Sequence, residues 1–239
     1  MKKKYLNLKR NNMTNFLASI KDTKEAKIVS SANIDIVDLK DINDGALGFV
    51  GIDFISKACK ILSKYTLSVT MGNDSNPNNY KNIENIEFVV NKNIDFVKIG
   101  LFKEDLIDEH GKLIRLIKFN KTKPICVLFA DKDFRLGNVQ KAIDIGYHGI
   151  MIDTYHKDSK SLVEILDKEI IEKFINITKS NNKLCGLSGS LRIEHINELK
   201  QLNPDFLGFR GQLCETASDR KNLSINMLNQ VSKEIKLNS

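Results

Sequence analysis

Short apolar, β-rich runs alternate with longer amphipathic segments eight times along this chain. The runs are Phe16–Ser19, Ile34–Lys40, Thr66–Met71, Asp95–Leu101, Pro124–Ala130, Gly149–Asp153, Lys183–Ser188 and Asp205–Arg210. Apolar residues at three- and four-residue spacing predict helices over Asp22–Ser31, Phe49–Lys64, Asn79–Lys92 and Glu104–Asn120. The same signal predicts helices over Gly137–Ile145, Ser161–Asn181, Arg192–Leu202 and Leu223–Ile235. Asp22 and Glu25 form a capping box that opens the first of them. An uninterrupted strand-helix alternation means a parallel sheet covered by helices. Eight units of about 28 residues mean a single-domain α/β fold, the closed (β/α)8 TIM barrel. An open doubly wound sheet is the alternative.

A weak internal repeat supports closure. Asn33-Ile34-Asp35-Ile36-Val37, Asn93-Ile94-Asp95-Phe96-Val97 and Asn203-Pro204-Asp205-Phe206-Leu207 follow one pattern at the openings of the second, fourth and eighth runs. The register makes Asp38 and Lys98 equivalent, and likewise Lys40, Gly100 and Arg210. The Asn-rich loop Gly72–Asn79 reads as a mobile surface segment.

The charge balance is a poorer guide. There are 37 Lys and Arg against 30 Asp and Glu, for a formal charge of +7. The first ten residues hold Lys2, Lys3, Lys4, Lys9 and Arg10 and no acid, leaving 32 basic against 30 acidic residues elsewhere. Residues 1–13 are therefore expected to be a flexible, solvated basic extension of a nearly neutral catalytic barrel spanning 14–239. No nucleic-acid partner is expected. No apolar stretch approaches the roughly 18 residues of a membrane span, and the N-terminus lacks the apolar core of a signal peptide. Cys59, Cys126, Cys185 and Cys214 are far apart and form no CxxC. A reducing cytoplasm is the expected location, with no membrane partner. Assembly into a homo-oligomer is left open.

In a (β/α)8 barrel the site forms at the carboxyl ends of the strands. There the second run carries Asp38 and Lys40, the fourth Lys98, the fifth Asp131, and the sixth Asp153 with Lys157 shortly after. Strand periodicity puts Asp38 and Lys40 on one face. Charged residues at inward strand positions need partners or a function. A purely structural ring of ion pairs is the alternative reading.

Several lysines without clustered histidines favour carbonyl chemistry over a metal site, and no metal or other cofactor is expected. A lysine that forms a Schiff base must attack as the neutral amine. Its ordinary pKa of ~10.4 must then fall by roughly 3 units, or about 4 kcal/mol. Burial and neighbouring ammonium groups supply such shifts. After the seventh run stands Ser188-Gly189-Ser190, and the eighth ends in Arg210-Gly211. Loops after these two strands are the usual phosphate site of such barrels, and Arg210 could add a bidentate contact. The expected substrate is a phosphorylated aldehyde or ketone. Cys126, Cys185 and Cys214 read as small buried hydrophobes, and Tyr155 and His156 as peripheral contacts.

The ordered motifs resemble the (5-formylfuran-3-yl)methyl phosphate synthase family, whose product is the furan of methanofuran. The similarity runs from Phe16 to about Arg220. It comprises Ser19-Ile20-Lys21-Asp22 with Glu25-Ala26, Asp38-Leu39-Lys40-Asp41 with Gly45-Ala46-Leu47-Gly48, and Val97-Lys98-Ile99-Gly100-Leu101. It continues through Ala130-Asp131 with Arg135 and Met151-Ile152-Asp153-Thr154 with Lys157. It closes with Leu187-Ser188-Gly189-Ser190 and Leu207-Gly208-Phe209-Arg210-Gly211 with Cys214. Tyr155-His156, the Asn-rich third loop, the glycine-free Glu215–Ser218 stretch and the basic extension depart from the family pattern.

The resemblance implies condensation of two molecules of glyceraldehyde 3-phosphate to the furan aldehyde phosphate, with loss of one phosphate and water. It places Lys40 on the Schiff-base position and Lys98 on the proton-transfer position, with Lys157, Asp38 and Asp153 on further active-site positions. It also implies a cofactor-free lyase acting on a phosphorylated triose. Ser188, Gly189, Ser190, Arg210, Gly211 and Asp131 are the expected substrate and phosphate contacts. Another class I aldolase acting on sugar phosphates is the enzymatic alternative. A non-catalytic barrel that binds RNA or a membrane surface is the alternative of a different class.

Overall fold

A computed structural model describes residues 13–157 and 160–237, so the basic extension lies outside the described residues except for Met13. The strands are β1 (Asn15–Ile20), β2 (Ile36–Leu39), β3 (Thr66–Thr70), β4 (Phe96–Gly100), β5 (Lys123–Phe129), β6 (Gly149–Asp153), β7 (Leu184–Leu187) and β8 (Phe206–Phe209). They are parallel and hydrogen-bonded in chain order, and β8 returns to β1. The sheet is therefore a closed barrel, not an open doubly wound one.

The helices are α1 (Thr23–Val29), α2 (Ile52–Ile61), α3 (Tyr80–Asn91), α4 (Ile107–Leu116), α5 (Leu136–Asp144), α6 (Leu162–Ile165), α7 (Lys168–Ser180), α8 (Ile196–Gln201) and α9 (Ile225–Lys236). The single helix expected over Ser161–Asn181 is broken into α6 and α7. Ser161 and Glu164 make a capping box for the first piece, and Leu166 is extended between the two. The helices expected at Glu104 and Arg192 each begin with a 3-10 turn.

Alternation along each strand separates two apolar layers. Phe16, Ala18, Ile20, Val37, Leu39, Val97 and Ile99 face the helices, where most of the core lies. Leu17, Ile36, Phe96, Ile125, Met151, Leu184 and Phe206 fill the barrel interior. Packing inside is tight enough to need a glycine in β7. A Cβ at Gly186 would stand 2.1 Å from the Phe206 ring. The interior turns polar toward the carboxyl ends. Register sets Ser19 beside Asp38, Asp38 beside Ser68, and Thr70 beside Lys98.

The internal repeat has a physical cause. Asp35, Asp95 and Asp205 each precede a strand and accept the amide proton at the start of the preceding one. The partners are Phe16, Leu67 and Cys185, at 2.9, 2.9 and 2.7 Å. Asn93 and Asn203 adopt the left-handed conformation, φ 53° and 60°, that ends the preceding helix. The same device is used at three openings.

The Asn-rich loop is more constrained than its composition suggests. Asn73 accepts from the Leu47 amide at 2.8 Å and donates to the Asp44 carbonyl at 2.6 Å. Asn78 donates to the Glu109 carbonyl and carboxylate. Its polar side chains thus stitch it to the β2–α2 loop and to α4.

Candidate active site

The mouth of the barrel holds three ion pairs built on two carboxylates. Asp38 points inward from β2 and accepts from Ser19 Oγ at 2.9 Å and Lys98 Nζ at 2.7 Å, both through Oδ2. Its Oδ1 is buried with no hydrogen-bond partner among the described residues. Asp153, the last residue of β6, sits between two ammonium groups. Lys40 Nζ lies 3.4 Å from Oδ2 and Lys157 Nζ 2.6 Å from Oδ1. The Lys157 ammonium also donates to the Thr154 carbonyl. Asp38, Lys40, Lys98 and Asp153 are all at most 6% exposed. The five residues expected to carry the chemistry are thus brought together.

Burial is the main cause of the electrostatics here. It lowers Lys40 from 10.5 to about 7, with Lys157 and Lys98 adding repulsion and Asp153 and Asp38 opposing. Lys157 is lowered too, chiefly by burial, against the pull of Asp153. For Asp153 burial acts the other way, but Lys157 and Lys40 outweigh it and hold the carboxyl well below the usual range. The site therefore contains an ionised carboxylate and an amine able to shed its proton near neutrality.

Asp131 takes a different role from the one expected. Its carboxylate accepts from the backbone amides of Tyr155 and His156 at 2.6 and 2.8 Å and pairs with His156 Nδ1 at 3.0 Å. Those amide bonds outweigh burial and lower its pKa. Asp131 holds the loop that carries Lys157, and it does not line the cavity beside Lys40.

That cavity, of about 530 Å3, opens between Lys40 and the loops after β7 and β8. Ser188, Gly189, Ser190 and Gly211 line it as expected. Gly189 has φ +107°, and a Cβ there would stand 2.8 Å from Thr154 Cγ2. The tight turn brings Gly189 and Ser190 to the cavity wall, with the Gly189 carbonyl accepting from the Leu162 amide at 2.9 Å.

Arg210 also borders the cavity, but its guanidinium is already committed. It binds Glu25 at 2.6 and 2.9 Å, the Ser19 carbonyl at 3.2 Å, and the Arg220 carbonyl at 3.0 and 2.5 Å. A planar fork with its five N–H groups so engaged has nothing left for a phosphate. Arg210 is a structural clamp, which corrects the expectation from its position at the strand end.

Two residues near the site had no role assigned from sequence. Ser19 braces Asp38, and its inward strand position was the available signal. Arg220, in the loop before α9, lines the cavity as well. No periodicity or motif marks a loop residue eleven positions past the end of β8. The buried thiols of Cys126, Cys185 and Cys214 are all pushed up by desolvation, as inert core cysteines should be. Among the described residues, no His, Cys, Asp and Glu group is placed to hold a metal ion. Nor is any helix long and apolar enough to cross a membrane.

The geometry can be compared with known proteins. By fold, the chain resembles 3-hexulose-6-phosphate synthase from Salmonella typhimurium, with TM-score 0.64 and 9% identity, covering 93% of this chain and 98% of that one. It is equally similar to KGPDC from Streptococcus mutans, with TM-score 0.64 and 13% identity, covering 93% and 97%. These likenesses concern the barrel alone. By sequence, the chain is 29% identical over 233 residues to the (5-formylfuran-3-yl)methyl phosphate synthase of Methanocaldococcus jannaschii, covering 92% of this chain and 97% of the relative. It is 30% identical over 210 residues to the synthase of the same name from Methanococcus aeolicus, covering 83% and 89%. The family model described as 4-HFC-P synthase matches residues 16–232, and the chain accordingly belongs to that family of enzymes.

Proposed function

We propose that this protein is a Schiff-base lyase that condenses two molecules of glyceraldehyde 3-phosphate to (5-formylfuran-3-yl)methyl phosphate, with loss of phosphate and water, for methanofuran biosynthesis. Family membership supports the product. The observation that carries the mechanism is Lys40, a buried amine with a pKa of about 7, set 3.4 Å from Asp153.

Neutral Lys40 attacks the aldehyde carbon of the first triose phosphate and, after loss of water, holds it as an imine. The imine acidifies the adjacent C–H. Lys98 accepts that proton as the free amine, and Asp38, 2.7 Å away, holds the ammonium that results. Lys157, on the far side of Asp153, serves the carbinolamine and dehydration steps as a proton donor. The backbone of Gly189, Ser190 and Gly211 receives phosphate.

Incubation with glyceraldehyde 3-phosphate and borohydride, followed by peptide mass mapping, tests this reading. A reduced adduct on Lys40 is expected. No adduct, or one confined to another lysine, would overturn it.

A further inference from the structure

The commitment of Arg210 leaves open which side chain grips the substrate's phosphate. Arg220 lines the same cavity, facing Asp153 and Lys157 across it. It is half-buried, and its guanidinium makes no hydrogen bond or ion pair with any described residue. A cation withdrawn from water without a counter-ion is unfavourable unless a ligand supplies one. Desolvation accordingly lowers its pKa, with Asp153 opposing.

Its backbone, by contrast, is held from both sides. The Arg220 amide donates to the Thr216 carbonyl at 3.2 Å. Its carbonyl accepts from Arg210 Nε at 3.0 Å and Nη2 at 2.5 Å. The residue is locked at φ 57°, an unusual conformation for a side chain of this size. Glu25 fixes Arg210 in turn, and Lys21 donates to the Lys221 carbonyl at 2.6 Å. The β1–α1 segment thus pins the loop after β8, while the Arg220 fork stays unengaged among the described residues.

We propose that Arg220 binds the phosphate of the triose substrate, opposite the Gly189 and Ser190 backbone, and that Arg210 is its positioning residue, acting through the Arg220 carbonyl. This rests on reading the cavity as the site of a phosphorylated carbonyl compound. The guanidinium offers two parallel N–H groups to the phosphate oxygens. Pre-setting its backbone spares the ordering cost of a mobile loop arginine.

The test is calorimetric titration of inorganic phosphate into wild type, R220Q, R220K and R210K, with kinetics and borohydride trapping alongside. R220Q should weaken phosphate binding about 10–100-fold, as loss of a charged hydrogen-bond pair does. It should raise KM for glyceraldehyde 3-phosphate far more than it lowers kcat. Trapping of unphosphorylated glyceraldehyde should fall far less than trapping of glyceraldehyde 3-phosphate, because the lost contact is to the phosphate. R220K should fall between, since an ammonium keeps the charge without the fork. R210K should weaken phosphate in the same direction but less, and should lower trapping of glyceraldehyde 3-phosphate more than trapping of glyceraldehyde. If R210K does not fold, Glu25→Gln carries the same test.

Phosphate binding by R220Q equal to wild type, or none by wild type, overturns the role of Arg220. Wild-type affinity in R210K or, in its place, E25Q overturns the positioning role. The titration does not depend on Lys40. A wild-type protein that binds phosphate but traps neither aldehyde would therefore condemn the imine mechanism alone.

Discussion

Glu25 and Arg210 are 185 residues apart in sequence and joined by two hydrogen bonds of 2.6 and 2.9 Å, with both side chains 4% exposed. The pair closes the barrel chemically where β1 and β8 close it by backbone. Glu25 also accepts from the Lys21 amide at 2.9 Å, and Asp22 caps α1 through the Glu25 amide at 2.9 Å. One carboxylate therefore steadies the start of α1 and the end of β8 together.

Removing one partner of such a pair strands a buried charge. Glu25→Ala should cost about 3–5 kcal/mol of stability, read by denaturant unfolding. The double change E25L/R210M should recover most of that loss, because two apolar groups need no partners. A double variant as unstable as Glu25→Ala would show that the pair is not the cause.

Lys40 should give the reaction an acid limb. With a pKa of about 7, roughly a tenth of the amine is neutral one unit below that value and roughly nine-tenths one unit above. The rate of imine formation at low substrate should rise about tenfold per pH unit below 7 and level off above 8. Trapping rates measured from pH 5.5 to 9 check this. A limb centred near 10 would mean that Lys40 is not desolvated as described.

The same burial is a stability cost. Folded Lys40 has a pKa of about 7 against its ordinary 10.5, so between these values the unfolded chain binds the extra proton. Stability contributed by this site is lowest below pH 7 and recovers as pH rises toward 10.5. Lys40→Met should therefore abolish activity yet stabilise the protein by about 1–3 kcal/mol at pH 6. The difference from wild type should shrink as the pH is raised. Chemical unfolding at pH 6 and 9 measures both values.

His110 should govern the acid side of the stability curve. It is fully buried, with Nδ1 2.6 Å from Tyr147 Oη and Nε2 without a partner among the described residues. Burial lowers it from 6.5 to about 4. The unfolded chain takes the proton in that window, so this contribution is complete above 6.5 and is lost as pH falls to 4. The loss amounts to about 2.5 kcal/mol at pH 4.5. His110→Gln should be less stable than wild type at pH 7 and show a shallower decline between pH 7 and 4.5.

Gly189→Ala should weaken phosphate binding as well as stability. A Cβ there would meet Thr154 Cγ2 at 2.8 Å and its amide nitrogen at 2.9 Å, on a residue whose φ is +107°. The turn must shift, and with it the cavity wall that Gly189 and Ser190 form. A loss of about 1–3 kcal/mol is expected, with a raised phosphate Kd by titration. Unchanged phosphate affinity would remove this turn from the site.

Much of this was legible beforehand because strands and helices are written in local periodicity. Eight alternations implied the barrel, and period two along β2 placed Asp38 and Lys40 on one face. Equivalence in the repeat set Lys98 at the level of Asp38, where the two meet at 2.7 Å. The break between α6 and α7 was not legible, since apolar spacing continues across Leu166 while its backbone is extended.

By itself, then, the sequence determined the barrel, its polar end, and the lysines and aspartates gathered there, because each depends on neighbours within a strand or turn. Only the tertiary structure decided what the remaining charged groups do. Glu25 reads as a capping residue, Arg210 as a phosphate ligand and Asp131 as a substrate contact when each is seen with its neighbours in sequence. In the folded chain Arg210 is held by Glu25, Asp131 by the loop of Lys157, and Arg220 faces the cavity instead. A long polar side chain is satisfied by whatever partner closure brings within 3 Å or so of it, and partners drawn from opposite ends of the chain leave no trace in local spacing.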